Sequence, residues 1–170
     1  MSIPIAGTGD EDPRYTKRSA LYVPKGAGET IWAAGDIYTI KADAESTDGE
    51  LMLIEATVPP GSGPAPHVHN GHVEAFYLIS GELEFLNGDQ SVAAEAGSFF
   101  YVPRGTRHRF VNRGLHAAKM VFFFLPGGIE EVFRATGRPA RPGERPSVEG
   151  DLPIDPELLE RYATELLPDL

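Results

Sequence analysis

The sequence predicts an all-β domain closed into a small barrel or jelly roll, with helices only towards its C-terminal end. Three observations carry this expectation. Short segments rich in apolar and β-branched residues recur at even spacing between residues 37 and 125. The stretches between them hold turn-forming residues, as in Gly35-Asp36, Asn87-Gly88-Asp89 and Pro103-Arg104-Gly105. After Pro126-Gly127-Gly128 the period lengthens to that of a helix, with Ile129, Val132 and Phe133 on one face.

In chain order, residues 1–20 are polar and carry the acidic run Asp10–Asp12, which reads as a flexible N-terminal arm, ordered only against a neighbouring subunit. Ala20–Val23 reads as a short strand closed by Pro24 and Gly26. Trp32 precedes the Gly35-Asp36 turn and a strand over Ile37–Lys41. A turn at Glu45–Gly49 leads to Leu51–Val58, and Pro59-Pro60 ends that strand. The loop Gly61–Pro66 holds two glycines and two prolines, so it is stiff and places the next histidines accurately. Strands are then expected over Glu74–Ser80, Glu82–Leu86, Gln90–Ala94, Phe99–Val102, Arg107–Asn112 and Lys119–Leu125. A helix beginning near Ile129 can end at Gly137. Residues 138–153 contain Pro139, Pro142, Pro146 and Pro153 and read as a linker. A last helix starts with Asp155 as N-cap and Pro156 at its first position, with Leu158, Leu159, Tyr162 and Leu166 as an apolar stripe. This divides the chain into an arm (1–20), a barrel domain (21–137), and a proline-rich linker with a docking helix (138–170).

Composition narrows the function classes. With 15 basic and 25 acidic residues in 170, the formal charge is −10. Such a chain repels phosphate backbones and anionic lipid, so nucleic acid and membrane surfaces are not expected partners. The absence of cysteine excludes disulfides and thiolate ligands. No cationic start with an apolar run follows Met1, and no segment is apolar enough to span a membrane, so a cytoplasmic address is the default expectation.

Four residues carry chemistry: His67, His69, Glu74 and His108. Residues two apart on a strand share a face, so His67 and His69 point the same way. Glu74 follows a short turn onto the next strand, and antiparallel pairing can bring it to the histidine pair. His108 must arrive from a strand that pairs later. Three neutral imidazoles and one carboxylate suit one divalent transition metal (iron, manganese, cobalt, nickel, copper or zinc), whereas oxygen-seeking calcium fits poorly. Glu74 shares its strand face with Phe76 and Leu78. A carboxylate detached from the metal there would be desolvated and basic, so Glu74 is also the expected catalytic base.

These residues sit in two motifs. Gly61, His67, His69, Glu74 and Gly81 form the first; Gly97, Pro103, Gly105, His108 and Asn112 form the second. At every specified position the pair resembles the two motifs of the cupin superfamily. The segments VPPGSGPAPHVH, EAFYLISGELEF and FFFLPGGIEEVF make the chain similar to small single-domain, metal-binding cupins of the quercetin 2,3-dioxygenase-like type. That resemblance implies a cupin double-stranded β-helix, the jelly-roll barrel, and oxidative cleavage by dioxygen of a flavonol or other enolic or phenolic small molecule. Related cupins act as isomerases, cyclases or decarboxylases through Lewis acidity alone. A cupin that binds a small molecule without turnover is the third alternative.

Other residues are weighed against plainer roles. Phe76, Phe110 and Phe122 are expected to line the substrate pocket, although most phenylalanines of a barrel are ordinary core. His72 is read as a solvated turn histidine in preference to a ligand or proton shuttle, and His116 as exposed. Arg104 and Arg107 are turn arginines at the pocket rim, more often solvent-facing than bound to an anionic substrate. The outward set Ala75, Tyr77 and Ile79 is too apolar to stay wet, which predicts a homodimer or larger assembly.

Overall fold

The computed structural model describes residues 20–146 and 154–168. The predicted arm up to residue 19 and residues 147–153 of the predicted linker lie outside the described residues. Two antiparallel sheets face each other. The larger contains β1 (Glu29–Ala33), β2 (Asp36–Ala42), β3 (Met52–Val58), β5 (Val73–Ser80), β8 (Phe99–Val102), β10 (Ala118–Leu125) and the two-residue β11 (Arg138–Pro139). Its spatial order is β11-β1-β2-β3-β10-β5-β8. The smaller contains β4 (His67–His69), β6 (Glu82–Asn87), β7 (Gln90–Glu95), β9 (His108–Val111) and β12 (Thr164–Leu166), in the order β12-β4-β9-β6-β7. The predicted all-β jelly roll is the fold of the described residues.

Alternation along the strands builds the core. On β5, Glu74, Phe76 and Leu78 face inward; on β10, Met120, Phe122 and Phe124 do the same, and all six are buried. Phe76 stacks on Phe122 at 5.5 Å and meets Phe85 of the opposite sheet edge-on at 5.1 Å. Phe110 of β9 joins the same aromatic layer, with its ring 5.9 Å from that of Phe76.

The structure corrects several local expectations. Ala20–Val23 forms no strand; the first described strand is β1, which includes Trp32. Ile31, Trp32 and Ala33 are all buried, so β1 has no alternation to read. It turns into β2 through Ala34 and Gly35, both at positive φ (53° and 79°), the conformation of a tight hairpin. The turn expected at Glu45–Gly49 starts as a single helical turn, α1 (Ala44–Thr47), held by a capping box between Asp43 and Ser46. Ala75 is buried, so the outward apolar set on β5 reduces to Tyr77 and Ile79.

The C-terminal region begins as the sequence predicts. Helix α2 (Glu130–Thr136) stops at Gly137, and helix α3 (Pro156–Arg161) is capped by the Asp155 carboxylate, which accepts from the Glu157 amide at 2.9 Å. Leu166, however, does not extend the helical stripe. Tyr162 caps the helix, Ala163 takes a left-handed φ of 47°, and the chain returns as β12 against β4. The segment therefore docks on the barrel as a helix and a strand. No helix among the described residues is long and apolar enough to cross a membrane.

Candidate metal centre

β4 and β9 meet where His67 pairs with His108, and β5 brings Glu74 across from the other sheet. His67, His69, Glu74 and His108 each offer one ligand atom, and these atoms all lie within 4.8 Å of one another. His69, Glu74 and His108 are buried, and His67 is half-buried at the wall of a cavity. The group could hold a metal ion.

Hydrogen bonds decide which ring nitrogens face the centre. His67 Nδ1 lies 2.8 Å from the Ala65 carbonyl and His108 Nδ1 lies 2.9 Å from the Thr106 carbonyl. A carbonyl only accepts, so both rings carry their proton on Nδ1 and leave Nε2 for coordination. His69 Nδ1 lies 3.0 Å from the Thr164 hydroxyl. On the other side, His69 Nε2 is buried without a hydrogen-bond partner and lies 3.6 Å from Glu74 Oε2. A buried lone nitrogen aimed at a carboxylate and two further imidazoles fits a metal better than it fits a packed core.

The electrostatics agree. Burial, and then the neighbouring imidazoles, push His67 down to about 3 and His69 down to about 2, so both rings stay neutral, which is the ligating form. Burial likewise pushes the Glu74 carboxyl up, against the pull of His108. For His108 burial acts downward, but the hydrogen bond and charge of Glu74 outweigh it and raise the imidazole.

Above His67, His69 and Glu74 opens a cavity of about 370 Å³, at the small end of the ligand-pocket range. Its wall is aromatic and aliphatic: Tyr38, Phe110, Phe122, Phe124 and Phe133 from the barrel and α2, and Ile154, Leu159 and Leu166 from the C-terminal segment. Glu74 is its one acidic residue, and no lysine or arginine of the described residues lines it. Phe76 sits outside the lining, packed against Phe85 and Phe122, so the expectation that it lines the pocket is not met. Arg104 and Arg107 also lie away from it: Arg104 donates to the Gly71 carbonyl, and Arg107 to the carbonyls of Gly88 and Pro168. His116 is exposed, as expected.

His72 corrects the reading of a solvated loop residue. It is buried, with its ring 6.5 Å from that of His69 and 6.2 Å from that of Tyr162. Sequence reasoning also misses Thr164 and the C-terminal wall of the cavity. The only signal is the apolar character of Leu159 and Leu166, which the sequence pattern places on a single helical stripe.

Comparison with known proteins matches this geometry. Residues 54–124, which hold all four candidate ligands, match the family model described as a cupin domain. The protein carries a cupin domain. Around this cupin core, the chain is 30% identical over 114 residues to quercetin 2,3-dioxygenase of Bacillus subtilis, covering 67% of this chain and 34% of that protein. It is 36% identical over 81 residues to the tetracenomycin polyketide synthase protein TcmJ of Streptomyces glaucescens, covering 48% of this chain and 53% of that protein. The match thus spans about a third and about half of these two relatives. Among solved structures, the Thermotoga maritima protein described as a predicted oxalate decarboxylase superposes with a TM-score of 0.59 at 18% identity, over 62% of this chain and 98% of that one. That likeness concerns the fold alone.

Proposed function

We propose that the protein is a metal-dependent cupin enzyme that oxidises a neutral enolic or phenolic aromatic molecule with dioxygen, cleaving it as a flavonol-type ring is cleaved. One observation carries the choice of substrate: His67, His69 and Glu74 of the three-histidine, one-carboxylate group face an aromatic cavity whose wall holds no lysine or arginine of the described residues. A small dianion such as oxalate, or a sugar phosphate, would find the metal ion as its one counter-charge in that cavity, with no lysine or arginine of the described residues to replace its lost hydration. A flat aromatic enol loses little water and gains contact with the rings of Phe110 and Phe122. The similarity to quercetin 2,3-dioxygenase supports the same class.

In this reading His67, His69, Glu74 and His108 hold one divalent transition metal. Such an ion supplies Lewis acidity towards a substrate hydroxyl and, if redox-active, a route for an electron to dioxygen. The chain's own residues do the rest. Phe110 and Phe122 fix the ring plane, and the apolar wall excludes water. The Glu74 carboxylate, buried and therefore more basic than usual, takes the hydroxyl proton from the substrate. Phe76 supports Phe122 from below and does not meet the substrate.

The test is oxygen uptake by protein loaded in turn with iron, manganese, cobalt, nickel, copper or zinc, against a panel of flavonols and simpler enols and phenols. Metal-dependent oxygen consumption with an aromatic enol is the expected outcome. Turnover without oxygen consumption would replace this reading with Lewis-acid isomerisation, cyclisation or decarboxylation. Tight binding without turnover would leave a small-molecule-binding cupin.

A further inference from the structure

We infer that Thr164, outside the stretch that matches the cupin model, is a positioning residue of the metal centre, and that the C-terminal strand exists in part to place it. The inference rests on the metal-dependent function proposed for this site. β4 carries two of the four candidate ligands yet has only three residues and meets β9 at one register position, His67 opposite His108. Its other edge is covered by β12, with Thr164 opposite His69 and Leu166 opposite His67. The backbone closes on both sides of β4: the Asn70 amide donates to the Ala163 carbonyl, and the Leu167 amide to the Pro66 carbonyl, each at 2.8 Å. The Asn70 side chain adds a 2.8 Å bond to the Glu165 carboxylate. β12 is thereby fixed in register against the ligand strand.

That register puts the Thr164 hydroxyl, itself buried, 3.0 Å from His69 Nδ1. A hydroxyl can donate or accept, so on its own it would leave the tautomer of His69 open. Here the hydroxyl proton has another acceptor, the Tyr162 carbonyl at 3.3 Å. The oxygen is then left to accept from Nδ1–H, which turns the lone pair of His69 Nε2 towards Glu74 and the other two imidazoles. The Ala65 and Thr106 carbonyls do the same for His67 and His108 with local backbone, two residues from the ring they orient. His69 alone of the three takes its orienting partner from a distant part of the chain.

A threonine in a strand could equally be there for its shape, and the experiment separates the two roles. Valine keeps the branched shape and removes the hydroxyl; serine keeps the hydroxyl and removes the methyl. The readout is the cobalt dissociation constant of the full chain, from competition with a chromophoric chelator, with the visible spectrum of the bound cobalt recorded in parallel. No substrate is present. T164V should bind cobalt about 10- to 100-fold more weakly than wild type, the usual loss when a partner of a ligating histidine is removed, and its spectrum should change. T164S should recover most of the affinity. Equal affinity and spectrum in T164V and wild type would overturn the proposal, as would a T164S protein as weak as T164V. Should T164V fail to fold, T164S against T164A makes the same comparison. A wild-type protein that takes up no cobalt overturns the metal reading and this one with it, whereas cobalt uptake that is indifferent to the hydroxyl overturns only the role of Thr164.

Discussion

The carboxylate of Glu74 and the imidazole of His108 meet at 2.8 Å although they stand on strands of different sheets, β5 and β9. With His108 Nδ1 donating to the Thr106 carbonyl, the lone pair of Nε2 is turned towards Glu74. The same carboxylate is the nearest acid to His69 and the one charged group in the cavity wall. In the proposed function that position lets it serve both the ion and the substrate.

Glu74→Gln tests that double role. Glutamine keeps the shape and one oxygen, so the barrel and much of the metal should remain, held by three imidazoles as in several zinc sites. It cannot accept a proton. Turnover per bound metal should fall by roughly 10²–10⁴, the range for a lost general base. Metal content and rate are measured on the same sample. A wild-type rate per metal in the glutamine protein would reduce Glu74 to a ligand.

Acid should weaken the metal-free fold through the imidazoles that burial keeps neutral. His69 is held down to about 2 in the folded chain, against an ordinary value of 6.5. The unfolded imidazole gains a proton as pH falls below 6.5, while the folded one does not until about 2. Stability from this group is therefore complete above pH 6.5 and is lost progressively as pH falls inside that window. Glu74 and His108, both raised, hold their protons longer when folded and act in the opposite direction. Urea unfolding in excess chelator between about pH 5 and 7 should show a shallower acid loss in His69→Gln than in wild type. Parallel slopes would count against a neutral, buried His69.

Much of this site is legible because its parts are local. His67 and His69 share a face by strand period alone, and Glu74 follows on the next strand at a distance that a short turn can close. The glycines of both motifs announce their backbone: Gly61, Gly81, Gly97 and Gly105 all sit at positive φ. Asp155-Pro156 marks the start of α3 correctly. Its end is not readable, because the chain leaves the helix through Ala163, a residue with no preference for left-handed backbone. β12 has three residues and no alternation, and its pairing with β4 is a tertiary choice across ninety-five residues. The partner of His69, the burial of His72 and the C-terminal wall of the cavity all depend on that choice.

The outer face of the larger sheet should bring two copies together. β8 is its edge strand, and Phe99 lies opposite Tyr77 of β5, with exposures of 61% and 46%. Tyr101 and Ile79 extend the patch to either side, each about half exposed. A flat apolar edge of this kind is rarely left in water. Light scattering at micromolar concentration should give a dimer mass or larger, and Phe99→Glu should shift it towards monomer. A monomeric wild type would refute the association.

Asn112 should matter for stability rather than for metal. It belongs to the second motif, yet it stands outside the ligand group and is buried beside Gly61, at the start of the loop that leads to His67. Its side-chain amide donates to the carbonyls of Val58 and His116 at 2.7 and 2.8 Å, and its oxygen accepts from the Gly114 amide at 2.9 Å. Its backbone carbonyl accepts from Gly61, and its amide donates to Ser62, at 2.8 and 3.0 Å. One residue thus ties the loop that leads to His67 to the strand that carries His108. Alanine would strand the Val58 carbonyl in a buried site and loosen the turn at Gly114. Each buried group left unpaired costs about 1–3 kcal/mol, so a loss of roughly 2–4 kcal/mol is expected. Aspartate would restore only the acceptor, and its charge would face two carbonyls, so Asn112→Asp should be no better than alanine. Denaturant unfolding of the metal-free proteins gives the ordering wild type above both variants, while those that fold should still bind metal once saturated. If alanine at 112 left stability unchanged and abolished metal binding, the assignment of this residue to the scaffold would be wrong.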